Sequence, residues 1–328
     1  AATLLEAVYD EPLSDAPRRA YAEFLREHGD LRGEFIALQL DRADRSQMSR
    51  RERDMLRRNY AAWIGTLVEA VDPGVAFRRG FPATCRTIAA GARARLGDPA
   101  WATIEHLETD IAALVMDPGL RALESLTLPL RVAREVCEGA TVLPRVHSLQ
   151  LRMQRFSPEQ VEAVTRGEAL PGLRNLTIVD GSNRGAELVW LDGTPLARGL
   201  ERLTLELPLE SLESLSLRGW LQFRERHPGI ARMRFVLGKQ LLRCELRVEG
   251  AVPALRVTTA RGLIERIAMG AGEIAERLER ILTAVEPYEL PLVQVESPGT
   301  WFGEELERLA QRLRAHFGPS VTLPRPWA

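Results

Sequence analysis

The sequence predicts an α/β chain in which short strands recur along a stacked array, and three observations predict it. First, some form of Leu-x-x-Leu-x-Leu is written six times, at residues 104–107, 120–128, 143–151, 170–178, 200–207 and 209–217, with a weaker seventh copy at 230–235. Second, the inner leucines Leu107, Leu126, Leu149, Leu176, Leu203 and Leu215 are spaced by 19, 23, 27, 27 and 12 residues. Third, the texture changes on both sides: helical periodicity dominates before residue 75, and strand and helix patterns alternate after residue 238. Three segments follow: 1–75 as a helical cap, 76–238 as the array, and 239–328 as an α/β portion continuing it.

The N-terminal segment is justified helix by helix. Leu4, Leu5, Val8 and Tyr9 fall at helical spacing, and Pro12 ends that run. Ser14 or Asp15 caps a second helix with Pro17 in its first turn and Ala20, Tyr21, Phe24 and Leu25 as its apolar face. Gly29 closes it, and a third helix follows through Phe35, Ile36, Leu38 and Leu40. Ser49 and Glu52 form a capping box for a fourth, which buries Leu56, Tyr60, Trp63, Ile64, Leu67 and Val71.

The array pattern also dictates structure. Its first four spacings fall within the ~20–29 residues of leucine-rich repeats or close to it, whereas the last is too short for a full unit. The expected fold is an irregular leucine-rich-repeat-like solenoid of short parallel strands with helical or irregular connectors. Ser157-Pro158-Glu159-Gln160 and residues 131–138 are the best helical connectors. The standard repeat places Asn or Cys after the second strand leucine, but here those positions hold Arg131, Gln154, Gly181, Pro208 and Trp220, so the array is degenerate. Because strand side chains alternate, the outward set on the concave face is Thr127, Gln150, Arg152, Thr177, Thr204, Glu206, Ser216 and Arg218.

After Gly238 the expected strands are 242–248, 255–258, 263–267, 292–295 and 321–323, with helices over 272–285 and 304–317. Gly270-Ala271-Gly272 before a helix lacks the downstream Lys or third Gly of a phosphate loop, so a plain strand-to-helix turn explains it better.

At the N-terminus, Leu4-Leu5-Glu6-Ala7-Val8-Tyr9, Asp15-Ala16-Pro17-Arg18, Tyr21-Ala22-Glu23-Phe24-Leu25 and residues 29–39 (Gly-Asp-Leu-Arg-Gly-Glu-Phe-Ile-Ala-Leu-Gln) occur in that order. Together they resemble the bacterial repeat-companion domain, a module found ahead of leucine-rich or related repeats. Phe77-Arg78-Arg79-Gly80-Phe81 and Asp98-Pro99-Ala100-Trp101 are similar to the lead-in to such repeats. The resemblance implies a companion helical cap followed by repeats in a bacterial protein, and it implies no activity. Gly29-Asp30-Leu31-Arg32-Gly33-Glu34 has two readings: a polar cluster that docks a partner, or a helix–turn–helix junction in which Gly29 terminates and Asp30 caps. The junction is the better account.

Composition narrows function. With 45% apolar and 27% charged residues and a net charge of −1, the 328-residue chain has no global affinity for polyanions or anionic membranes. Lys239 is the only lysine. Cys85, Cys137 and Cys244 stand far apart without metal spacing, which fits buried thiols in a reducing compartment. With no signal-like or membrane-length segment, a cytoplasmic location is expected.

The five histidines match no catalytic or metal motif, and a Cys137–His147 dyad competes with ordinary burial of a thiol. No enzyme activity, metal, cofactor or small-molecule substrate is therefore expected. Arg50, Arg51, Arg53, Arg57 and Arg58 crowd one helix, which could meet phosphates, but Glu52 and Asp54 interleave with them. The expected function is a protein–protein interaction scaffold (adaptor, regulator or recognition subunit) working through the concave face. The alternative is a nucleic-acid-binding accessory protein using the arginine-rich helix.

Overall fold

The computed structural model describes residues 2–42, 48–153, 158–180, 188–207, 222–223, 225–237, 242–249, 252–259, 292–296, 311, 315 and 321–322. The chain separates into two compact units, 1–149 with 168–172, and 150–167 with 173–328. The first unit therefore joins the helical segment to the first strands.

Four helices open the first unit: α1 (Ala2–Asp10), α2 (Asp15–Glu27), α3 (Leu31–Asp41) and α4 (Arg50–Ile64). Their ends follow the sequence signals. Asp30 accepts from the Arg32 N–H, and Ser49 and Glu52 complete the capping box before α4. Ser14 holds the cap position of α2, but its hydroxyl makes no capping bond. The buried faces differ from expectation on three helices: α4 ends at Ile64, short of Leu67 and Val71, and buries Glu52 and Met55 with Trp63 and Ile64 while Leu56 and Tyr60 are half-buried. On α2, Arg18 and Ala22 are buried with Tyr21 and Leu25, while Ala20 is exposed. On α3, Gln39 is buried and Leu38 is only half-buried.

Strands follow as β1 (Ala76–Arg78), β2 (Phe81–Arg86), β3 (His106–Glu108), β4 (Ser125–Pro129) and β5 (Ser148–Met153), with α5 (Ala89–Ala94), α6 (Ala112–Val115) and α7 (Leu130–Glu138) between them. β1 and β2 pair antiparallel; β2–β3 and β3–β4 are parallel. Cys85, Leu107 and Leu126 share one rung, so the aligned pair Leu107 and Leu126 are register partners. Burial alternates along β4 and β5, apolar residues inward and polar ones half-exposed.

The second unit carries α8 (Pro158–Thr165), β6 (Asn175–Asp180), α9 (Pro195–Gly199), β7 (Arg202–Leu207), β8 (Arg232–Leu237), β9 (Leu242–Glu249), β10 (Val252–Thr259), β11 (Leu292–Glu296) and β12 (Val321–Thr322). β6, β7 and β8 are parallel, with Leu176 opposite Leu203 and Met233, and Ile178 opposite Leu205 and Phe235. The expectation of parallel strands throughout needs correction here. β9 runs antiparallel to both β8 and β10, and parallel pairing resumes only at β10–β11–β12. Two residues separate Glu249 from its partner Val252, a tight hairpin that leaves no length for a crossover. The expected strand 263–267, the helices 272–285 and 304–317 and the Gly270 turn fall mainly or wholly outside the described residues.

The missing asparagine ladder has a backbone substitute. The Glu105 carbonyl accepts the N–H groups of both Glu124 and Ser125 (2.8 and 3.0 Å), and the Glu124 carbonyl accepts those of His147 and Ser148 (3.0 and 3.3 Å). In the second unit the Arg174 carbonyl does the same for Glu201 and Arg202 (2.8 and 3.0 Å). One carbonyl at each of these three strand entries thus fixes the start of the next strand through the backbone.

Candidate functional site

Three features are built by this framework. The first is the open face of the strands. Thr127 is half-exposed on β4 beside Glu108 of β3, which pairs with Arg86 (3.5 Å) next along the same rung; Arg86 also reaches Asp72 (3.6 Å). Thr87 donates to Thr109 Oγ1 (2.9 Å) just past this row. In the second unit Thr177 and Thr204 are register partners facing outward, with Glu206 two rungs along opposite Val179. Gln150 and Arg152 are half-exposed on β5. Ser216 and Arg218 lie outside the described residues. The strand pattern therefore brings together Thr177 and Thr204 directly, and places every other described member on an outward position.

The second feature is an ionic clamp that sequence reasoning missed. Arg18, Arg79 and Glu105 are 1%, 7% and 1% exposed, despite carrying charge. Arg79 donates one guanidinium N–H to Glu105 Oε1 and another to the Leu13 carbonyl (2.7 Å), and Arg78 donates to Glu105 Oε2. Arg18 donates to the carbonyls of Arg79 (3.0 Å) and Pro12 (2.6 Å), and its guanidinium lies 4.7 Å from the centre of the Phe81 ring.

Asp15 stands 3.7 Å from Arg79. Arg79 adopts φ of 53°, a left-handed conformation uncommon for a side-chain-bearing residue, and this turn places its guanidinium between α2 and β3. Burial pushes the Glu105 carboxyl up, but hydrogen bonds from Arg79 and Arg78 outweigh it and hold the group below the ordinary carboxylate range. Burial and then the Arg79 charge pull the Arg18 guanidinium down to about 9, so it remains charged at neutral pH. Each of these residues reads as a surface charge in isolation. The signal that could have found them is the Arg78-Arg79-Gly80 turn ahead of a Glu inside an otherwise apolar copy.

The third feature joins two sequence motifs. Residues Gly29–Glu34 and the Arg50–Arg58 helix face each other across the exposed side of α3. Two hollows of about 530 Å³ each flank it and share Leu31, Glu34 and Arg51. One is completed by Arg26, Asp30, Leu38 and Asp41, the other by Arg50, Asp54, Met55 and Arg58. Arg51 pairs with Glu34 where they meet, and Arg57 with Asp54 (3.4 Å).

Arg53 donates to the Met48 carbonyl (2.7 Å) and lines neither hollow. Arg50 and Arg58 have no carboxylate partner among the described residues. The Gly29–Glu34 stretch is itself a tight junction. Gly29 has φ of 73°, and a Cβ on Gly33 would lie 2.5 Å from the Ala22 carbonyl oxygen.

Cys85 and Cys137 sit where burial opposes ionisation of the thiol. Burial pushes Cys85 up to about 12 and Cys137 up to about 11, the direction opposite to that of a nucleophile. His227 bonds Asp192 Oδ1 through Nε2 (2.8 Å) and packs on Phe223, an arrangement that ties a turn to a helix. Among the described residues, no group of three His, Cys, Asp or Glu is placed to hold a metal, and no helix is long and apolar enough to cross a membrane. No protein-family model, curated protein or solved structure matches the chain.

Proposed function

We propose that this chain is a non-catalytic scaffold that presents the open polar face of a leucine-rich-repeat-like sheet to a protein partner, as an adaptor, regulator or recognition subunit. In this reading residues 1–75 form the helical companion cap. One observation carries it. Parallel strands are ordinarily covered on both faces and read as continuous apolar runs. Here consecutive strands bury only alternate residues and leave the others half-exposed. Such a face is polar enough to stand in water and regular enough to match a partner along several strands. The strand-to-strand carbonyl links hold the spacing of that face through the backbone.

The test is affinity capture from a nuclease-treated lysate of the source organism. The tagged chain is compared with a Thr177→Arg, Thr204→Arg chain and with an Arg53→Glu chain, whose change lies on α4. A partner retained by Arg53→Glu and depleted about tenfold or more by the paired threonine change agrees with the proposal. An identical set of captured proteins in all three would refute it.

A further inference from the structure

The groove beside α3 carries an inference independent of the sheet face. We propose that the hollow between α3 and α4 docks an acidic protein segment with an apolar anchor, of the pattern acid-x-apolar-x-acid. Leu31, 55% exposed, and the buried Met55 both line this hollow, so an apolar residue has somewhere to land. Arg50 and Arg58 stand on the same lining, eight positions apart on one helix. That separation is about 12 Å along the axis at ~1.5 Å per residue. Two carboxylates four residues apart on an extended segment span roughly 13 Å. The match lets both arginines, which have no carboxylate partner among the described residues, receive an acid while the central side chain covers Leu31.

The same lining disfavours nucleic acid. Glu34 and Asp54 sit between the arginines, where a continuous phosphate backbone would meet them, whereas spaced acids on a peptide need not. No aromatic ring is offered for base stacking either. The Tyr60 hydroxyl accepts from the N–H groups of Gly74 and Val75 (2.7 Å each), and Trp63 is stacked on Phe35 in the core.

Random 12-residue peptides displayed on phage, panned on the full chain and counter-selected on the Arg50→Glu, Arg58→Glu chain, test this. Enriched peptides would be synthesised and titrated by fluorescence anisotropy, alongside single-stranded and duplex 20-nucleotide probes. The expected result is enrichment of acid-x-apolar-x-acid peptides. Their binding should weaken about tenfold or more with Arg50→Glu, Arg58→Glu, and similarly with Leu31→Asp, but stay within twofold with Arg53→Glu. Leu31, Arg50 and Arg58 are all exposed, so thermal melts of the variants should overlay that of the parent and separate lost binding from lost folding. Absence of enrichment, enrichment of neutral or basic peptides, an equal loss with Arg53→Glu, or nucleotide probes that bind more tightly than the peptides would each overturn the proposal.

Discussion

Replacing Glu105 by Gln keeps the shape of the ionic clamp and removes its charge. The consequence follows from what remains. Arg79 is left 7% exposed and Arg18 1% exposed, with Asp15 at 3.7 Å from Arg79 as the nearest acid. Forming a buried pair gains little over an apolar substitute, but removing one member strands the other, at about 3–5 kcal/mol. At about 2–4 °C per kcal/mol for a unit of this size, the transition of the first unit should fall by roughly 6–20 °C.

Urea denaturation followed by tryptophan fluorescence reads the same loss, since Trp63 and Trp101 are both buried in that unit. A double-mutant cycle then separates the pair from its surroundings. Glu105→Leu with Arg79→Met should cost less than the two single changes added together, because neither charge is then left alone.

The pH dependence supplies the sign. The folded Glu105 carboxyl is held below its unfolded value near 4.5, so its stabilisation is fully present above that pH and is lost as pH falls through the folded value. The stability gap between parent and Glu105→Gln should stay constant from neutral pH down to about 5.5, then close below about 4.5. A Glu105→Gln chain within about 1 kcal/mol of the parent at pH 7, or a gap that widens on acidification, would refute this account of the clamp.

Two further outcomes follow from close contacts and burial. Gly33→Ala gains up to about 1 kcal/mol of helix propensity, but its Cβ would sit 2.5 Å from the Ala22 carbonyl oxygen and 2.8 Å from the Arg26 nitrogen. Both atoms are backbone, so α2 and α3 must separate, and a net loss of about 1–3 kcal/mol is expected in thermal melts; an unchanged or higher melting temperature would contradict the packing. Iodoacetamide at pH 8 should leave Cys85 and Cys137 unmodified in the native chain, because burial holds their thiols up to about 12 and about 11. Peptide mapping that finds either residue alkylated within minutes would contradict that.

Periodic apolar signals were legible before any coordinates, and paired charges were not. The aligned pairs Leu107–Leu126 and Leu176–Leu203 became register partners and the Ser49–Glu52 box formed as read, because a local periodic pattern or cap motif marks each; the next partner of Leu203 is Met233 rather than the aligned Leu215. Arg18 and Arg79 are 61 positions apart, and Arg79 and Glu105 are 26 apart. Nothing local distinguishes such residues from solvated ones, since their burial is licensed only by each other. The same logic explains α2: Arg18 takes an inward position for the clamp, and Ala20 turns outward. The antiparallel return at β9 was missed for another reason. Strand identity says nothing about direction, and only the count of two residues between the partners Glu249 and Val252, too few for a parallel crossover, carries that information.

The helical cap also solves a physical problem of the sheet it precedes. A sheet whose terminal strand is bare offers unpaired N–H and C=O groups to any passing strand. The strand at this end, β1, is only three residues long, and the cap meets the polar groups around it. Gln39 Oε1 of α3 accepts the Gly80 N–H (2.7 Å), and the Tyr60 hydroxyl of α4 accepts those of Gly74 and Val75. Phe35 of α3 packs edge-on to Phe77 of β1 (5.9 Å between centres), and Gly80 allows the backbone to press against Ile36, where a Cβ would meet Ile36 Cγ1 at 2.3 Å. Each contact uses a side chain or close approach that an isolated helical bundle would not need. The clamp then makes the attachment directional: Arg79 and Arg78 reach from the β1–β2 turn to Glu105 at the entry of β3, while Arg18 of α2 holds the Arg79 carbonyl. The N-terminal helices are therefore bonded to both ends of β1 and to the β1–β2 turn, and through Arg79 to Glu105 at the entry of β3.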